Sequence, residues 1–130
     1  MSAGEPVGYS YVVLRCVPRV DRGEFVNVGV VVYCQARDLL RCAGHLDHRR
    51  LGALYPDLDV AAADAALVAV HDVCEGNADA GSAAHAPLGT RFGFLTAPRS
   101  TVIQPGPVHG GITSDPDSVL ESLMQALVLG

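Results

Sequence analysis

The chain has 130 residues, 49% apolar and 18% charged, a balance that excludes the low-hydrophobicity, high-charge composition of disordered chains and suits one core. Its formal charge of −5, with 14 acids against nine bases, excludes non-specific attraction to a phosphate backbone as the main driver of binding and disfavours a nucleic-acid role. Residues 1–130 read as a single domain that folds alone or as a small homo-oligomer.

Residues 9–18 alternate, with Val12, Leu14 and Cys16 on one face and Tyr9, Tyr11, Val13, Arg15 and Val17 on the other, the pattern of a strand. After a turn around residues 20–23, the valine-dense run 24–35 predicts a second strand, because β-branched side chains suit a pleated, packed surface. One of its rows is wholly apolar: Val26, Val28, Val30, Val32 and Cys34. That row is expected to face the core, with Phe25, Asn27, Gly29, Val31, Tyr33 and Gln35 opposite. Ala36, Arg37 and Asp38 make a tight connection into a third strand at 39–46, paired antiparallel as a hairpin.

A short helical stretch begins at Asp47 and ends near Tyr55, because the residue before Pro56 is pushed out of helical geometry. A longer helix follows, capped by Asp57 or Asp59. Val60, Ala63, Leu67, Val70 and Cys74 form its apolar stripe, and Gly76 ends it. Residues 76–89 are small, polar and aperiodic and read as a mobile surface loop. Residues 90–95 form a short element of undetermined type. The extended piece 100–104 is confined to an edge or a loop by the two prolines after it. In the last segment, Ser114 or Asp115 supplies a cap and Pro116 suits the first turn. Val119, Leu120, Leu123, Leu127 and Val128 provide a buried stripe. Strands first and helices mostly after make an α+β fold, a small antiparallel sheet of three or more strands with helices packed mainly on one face.

All nine bases are arginines, a bias ascribed to a GC-rich genome. The opening MSAGEPVGYS has no basic region followed by an apolar run, and no apolar run in the chain is long enough to span a bilayer. Cys16, Cys34, Cys42 and Cys74 contain no CxxC pair and fit reduced core cysteines; a Cys34–Cys42 disulfide across the hairpin is the minority reading. A cytoplasmic protein without a membrane segment is the expectation.

Two polar constellations stand out. On the second strand, Asn27 is disfavoured by propensity and Gly29 weakens the strand while letting a ligand or another backbone approach. With Arg15, Tyr11 and Tyr33 they mark a candidate binding face, and the alternative is that Asn27 and Gly29 form a bulge. Glu24 pairs with Arg15 or Arg22, more often as a surface ion pair than as a catalytic carboxylate. Further on, Arg99, Ser100, Thr101, Gln104 and His109 supply a guanidinium, two hydroxyls, an amide and an imidazole, a set that can grip a phosphate or carboxylate or merely organise a turn. One ligand site requires the two constellations to meet.

Cys42, His45 and His48 are spaced by threes, but on a strand they alternate faces, so exposed histidines and a packed cysteine are expected rather than a metal shell. No catalytic residue can be assigned, and neither a metal nor another cofactor is implied. No GxSxG, HExxH, EF-hand or dinucleotide fingerprint occurs.

The segments RGEFVNVGVVVY at 22–33 and RFGFLTAPRSTVIQPGPVHGG at 91–111, with YSYVVLRCVPR before them and the acid-led final helix after, resemble the bacterial domain of unknown function 3037 family. The resemblance spans nearly the whole chain and implies no reaction. It implies a small bacterial protein, often encoded beside a HipA-like kinase, and points to Glu24, Asn27, Gly29, Arg99, Ser100, Thr101, Gln104 and His109 as residues to test. Two expectations follow: an accessory or binding protein acting with a partner such as that kinase, or a small enzyme or ligand-binding protein for a phosphorylated or carboxylated metabolite.

Overall fold

A computed structural model describes residues 4–77, 81–99 and 101–130. Strand β1 (Val7–Cys16) lies at the centre of a five-stranded antiparallel sheet. On one side it pairs with β2 (Val26–Cys34), which pairs in turn with β3 (Leu39–Gly44). Both β4 (Ile103–Pro105) and β5 (His109–Thr113) pair with its other side. They act as one interrupted edge strand: β4 takes Leu14 to Cys16 and β5 takes Val7 to Tyr11. The prolines at 105 and 107 fall at and within the interruption, because proline cannot donate to a ladder and is tolerated only at an edge. The β2–β3 hairpin turns through a 3₁₀ segment, Gln35–Arg37, and closes on Asp38 in the left-handed region at φ 50°.

Four α-helices complete the fold: α1 (His48–Leu54), α2 (Val60–Glu75), α3 (Leu88–Thr96) and α4 (Val119–Met124). Asp47 accepts from the Arg50 amide to cap α1, and Asp59 accepts from the Ala62 amide to cap α2. Each such cap is worth about 1 kcal/mol. Gly76 ends α2 at φ 73°, a conformation that costs glycine nothing. The final helix starts through a 3₁₀ turn, Pro116–Ser118, and ends in a π-helical turn, Gln125–Leu129. Its N-terminus is organised by Thr113, whose hydroxyl accepts from the Asp115 amide, rather than by a side chain of Ser114 or Asp115. Within 76–89, Ser82–His85 form a 3₁₀ turn with Ala84 buried, α3 begins at Leu88, and residues 78–80 lie outside the described part.

The sheet is covered on both faces. One cluster joins Val12, Leu14, Cys16, Val28 and Val31 to α2 and α3; the second joins Val30 and Val32 to Val119, Leu120 and Met124 of α4. The expectation that the valine row of β2 faces a single core is therefore corrected. Leu14 opposes Gly29 and Arg15 opposes Asn27, so Val28 is the extra residue of a β-bulge. A bulge resets the two-residue period. Val26 and Val28 face α2 and α3, Val30 and Val32 face α4, and Val31 replaces them in the first core. Because both faces of β2 are packed, its valines run without alternation.

Candidate functional site

The bulge decides where the polar residues of the first motif lie. Paired residues of an antiparallel ladder project to the same face. Opposed to both Asn27 on β2 and Gln104 on β4, Arg15 stands at the middle of a row Gln104–Arg15–Asn27 that crosses three strands. This row shares the α4 face of the sheet with Tyr9, Tyr11 and His109. It joins one residue of the second motif to the first.

Each member of the row is held differently. The Asn27 amide donates to the Leu127 carbonyl at 3.2 Å, tying the π-helical turn to β2. Gln104 donates to the Thr101 carbonyl at 2.9 Å. Arg15 has neither an acid nor a hydrogen-bond partner among the described residues; its Cζ lies 4.0 Å from the centroid of the Phe25 ring, and its Nε is enclosed and unpaired. Gly106 makes room for it, since a Cβ there would stand 3.1 Å from both Cζ and Nε. Beyond the row, the Tyr9, Tyr11 and His109 rings form a ladder with centroids 6.2 and 5.3 Å apart.

Gly29 belongs to the bulge, the alternative weighed for it from sequence. A Cβ at this position would lie 2.7 Å from the Ala43 carbonyl oxygen and 3.1 Å from Leu14, so the close approach is that of another strand's backbone. Glu24 forms an exposed pair with Arg22 at 3.3 Å.

Arg99 and Thr101 of the second motif lie elsewhere. Arg99 reaches back to α3: it donates to the carbonyls of Phe94 and Ala97, and its Cζ is 5.1 Å from the Phe94 ring centroid. The Thr101 hydroxyl donates to the Ile103 carbonyl at 2.7 Å. Ser100 falls outside the described residues. Arg99 and Thr101 border a cavity of about 400 Å³ between α2, α3 and β4, whereas Asn27 borders one of about 140 Å³ beside α1 and the C-terminus. The two constellations thus do not open onto one cavity. Ile103 and Gln104 are adjacent in β4 and project to opposite faces, which separates them.

A second cavity of about 400 Å³ lies between β3 and α2 and is bordered by Cys42, Gly44, Asp64, Leu67 and His71. All four cysteines are free. A hydrogen bond from the Cys74 thiol holds Cys42 below the usual thiol pKa, and burial opposes it; the same bond, with burial, pushes Cys74 up. His48 pairs instead with Asp64 at 3.0 Å, and His45 donates its amide to the Val28 carbonyl. No group of three or more metal-ligating side chains occurs among the described residues, and no described helix is long and apolar enough to cross a membrane.

Sequence reasoning passed over three residues. Phe25 and Gly106 frame Arg15, and the signal available was their presence inside the two motifs. Arg91 opens the second motif and donates to the carbonyls of Ala86, Val73 and Cys74, which joins α3 to the end of α2.

The model of the family described as "Protein of unknown function (DUF3037)" matches residues 11–128. The chain belongs to that family. No curated protein and no solved structure matches it.

Proposed function

With membership of that family as the premise, we propose that this protein is an accessory module that docks a protein partner along strand β5. The observation that carries the reading is the state of that edge. No described strand pairs with the outer side of β5, its five residues include no proline, lysine or arginine, Ile112 projects from it 78% exposed, and Val108, just before it in the chain, is 53% exposed. Sheet edges are ordinarily blunted by charge, proline or a bulge. The other edges carry such devices, Arg41 on β3 and Pro105 on β4. An extended segment of a partner added to β5 would gain main-chain hydrogen bonds and cover Ile112. The polar groups of the second motif support the reading from the other side: Arg99, Thr101 and Gln104 are engaged with their own backbone.

The partner implied by the family resemblance is a HipA-like kinase. Co-expression followed by size-exclusion chromatography tests the pair: co-elution is expected for the native chain and its loss for Ile112→Lys. Separate elution of the native proteins at micromolar concentrations counts against the proposal.

A second reading rests on the cavity of about 400 Å³ bordered by Arg99 and Thr101. It would take a phosphorylated or carboxylated metabolite. A thermal-shift screen with such compounds, repeated on Arg99→Ala, separates the readings, because a ligand that binds the folded state raises its melting temperature.

A further inference from the structure

Arg15 stands apart from the chain's other arginines in what surrounds it. A guanidinium carries five donors in a rigid planar fork and stays charged. In the middle of this sheet it has no acid and no hydrogen-bond acceptor among the described residues, and its Nε is enclosed without a partner. Arg19 pairs with Asp21, Arg22 with Glu24, and Arg91 and Arg99 with backbone carbonyls, while Arg37, Arg41, Arg49 and Arg50 are exposed to solvent. The Nη groups are not enclosed and donate to no acceptor among the described residues, so the outer edge of the fork is open to an acceptor supplied from outside.

The fork lies between a ring and a glycine. Phe25 lies 4.0 Å from Cζ and is itself 46% exposed, and a Cβ at Gly106 would crowd the guanidinium at 3.1 Å. Asn27 and Gln104 flank the group on the neighbouring strands, each with its amide NH₂ already donating. The carbonyl oxygens of those amides repel a carboxylate less than an acid would, and no acid is paired with Arg15 in either ladder. Helix α4 packs on β2 and β3 rather than over this part of β1.

We infer that Arg15, set between Phe25 and Gly106, is the receptor for a carboxylate side chain presented by the docking partner. The inference rests on the docking reading and deepens it by naming the chemistry of the occupant. A planar carboxylate matches the planar Nη edge of the fork. The chain's net charge of −5 disfavours a polyanion. An arginine packed on an exposed aromatic ring is also the composition of an interface hot spot. A Glu or Asp of the partner would meet the Nη edge while its neighbours cover Phe25.

The test uses the full chain labelled with ¹⁵N-arginine, in which the Nε–Hε resonance of Arg15 is assigned by its loss in Arg15→Lys. Three probes are titrated separately: the capped tripeptide Ac-Val-Glu-Val-amide, its glutamine counterpart, and inorganic phosphate. A saturable shift of the Arg15 resonance with the glutamate peptide alone is expected, at least tenfold weaker in Gly106→Val. Three results overturn the inference: no saturable shift, an equal shift with the glutamine peptide, or a tighter response to phosphate. Loss of co-elution with the kinase would remove the docking reading without touching this titration, so the two can fail separately.

Discussion

Gly29 faces the backbone of Ala43 so closely that a Cβ on it would stand 2.7 Å from the Ala43 carbonyl oxygen. The contact lies between two strands of the ladder, where neither backbone can yield without breaking the pairing of Gly29 with Gly44. Gly29→Ala should therefore destabilise the fold by roughly 1–3 kcal/mol, the range for overpacking. Urea unfolding measures it; a change within 0.5 kcal/mol would mean that the bulge relaxes freely.

Asn27 connects strand and C-terminus through its bond to the Leu127 carbonyl. Replacement by alanine removes that donor and should cost about 1 kcal/mol. Hydrogen exchange gives the more specific readout, since residues 125–129 should lose protection while the sheet keeps its own. Uniform loss across the chain would contradict the tethering role.

For Arg91, the side chain replaces missing partners at the end of α2, donating to Val73 and Cys74 at 3.3 and 3.1 Å and to Ala86 at 2.8 Å. Arg91→Ala is expected to cost about 1.5–3 kcal/mol, the scale for hydrogen bonds made by a charged group. Arg91→Lys should recover only part of it, because one ammonium cannot reproduce the fork. Thermal unfolding of both variants distinguishes this from a loss of packing, which the lysine stem would restore.

Cys42 carries a pH prediction. Its pKa is lowered by the Cys74 thiol, while burial raises that of Cys16, and Cys42 is the only one of the four cysteines that is not fully buried. The thiolate is the reacting form. Iodoacetamide should modify Cys42 before the others, with its rate rising at lower pH than that of free cysteine; Cys74→Ala should shift this profile upward. Mass spectrometry of the tryptic peptides reads both, and first modification at Cys16 or Cys74 would refute the assignment.

The candidate site was legible in part. Glu24 and Arg22 are close in the chain, so their pairing could be anticipated. The bulge at Gly29 was one of two readings left open, since a glycine inside a valine-rich strand marks either a bulge or a close approach. The role of Asn27 could not be anticipated, since its acceptor lies 100 residues away. Arg99, Thr101 and Gln104 read as ligand-gripping groups because composition shows which donors exist; it does not show that nearby carbonyls take them.

By itself the sequence determined what depends on neighbours a few positions away. Alternation over β1, the three-and-four spacing of α2, an aspartate cap narrowed to Asp57 or Asp59 and the stop at Gly76 are short-range steric and hydrogen-bonding effects, and they were readable as such. Only the tertiary structure decided which face each half of the β2 valine row covers, that Arg15 lies between Asn27 and Gln104, and that Asn27 bonds to the Leu127 carbonyl. These follow from inserting a single residue, Val28, into one strand, and from packing against segments remote in the chain. A period of two has no memory across an insertion, so every side chain beyond it is assigned by what it packs against.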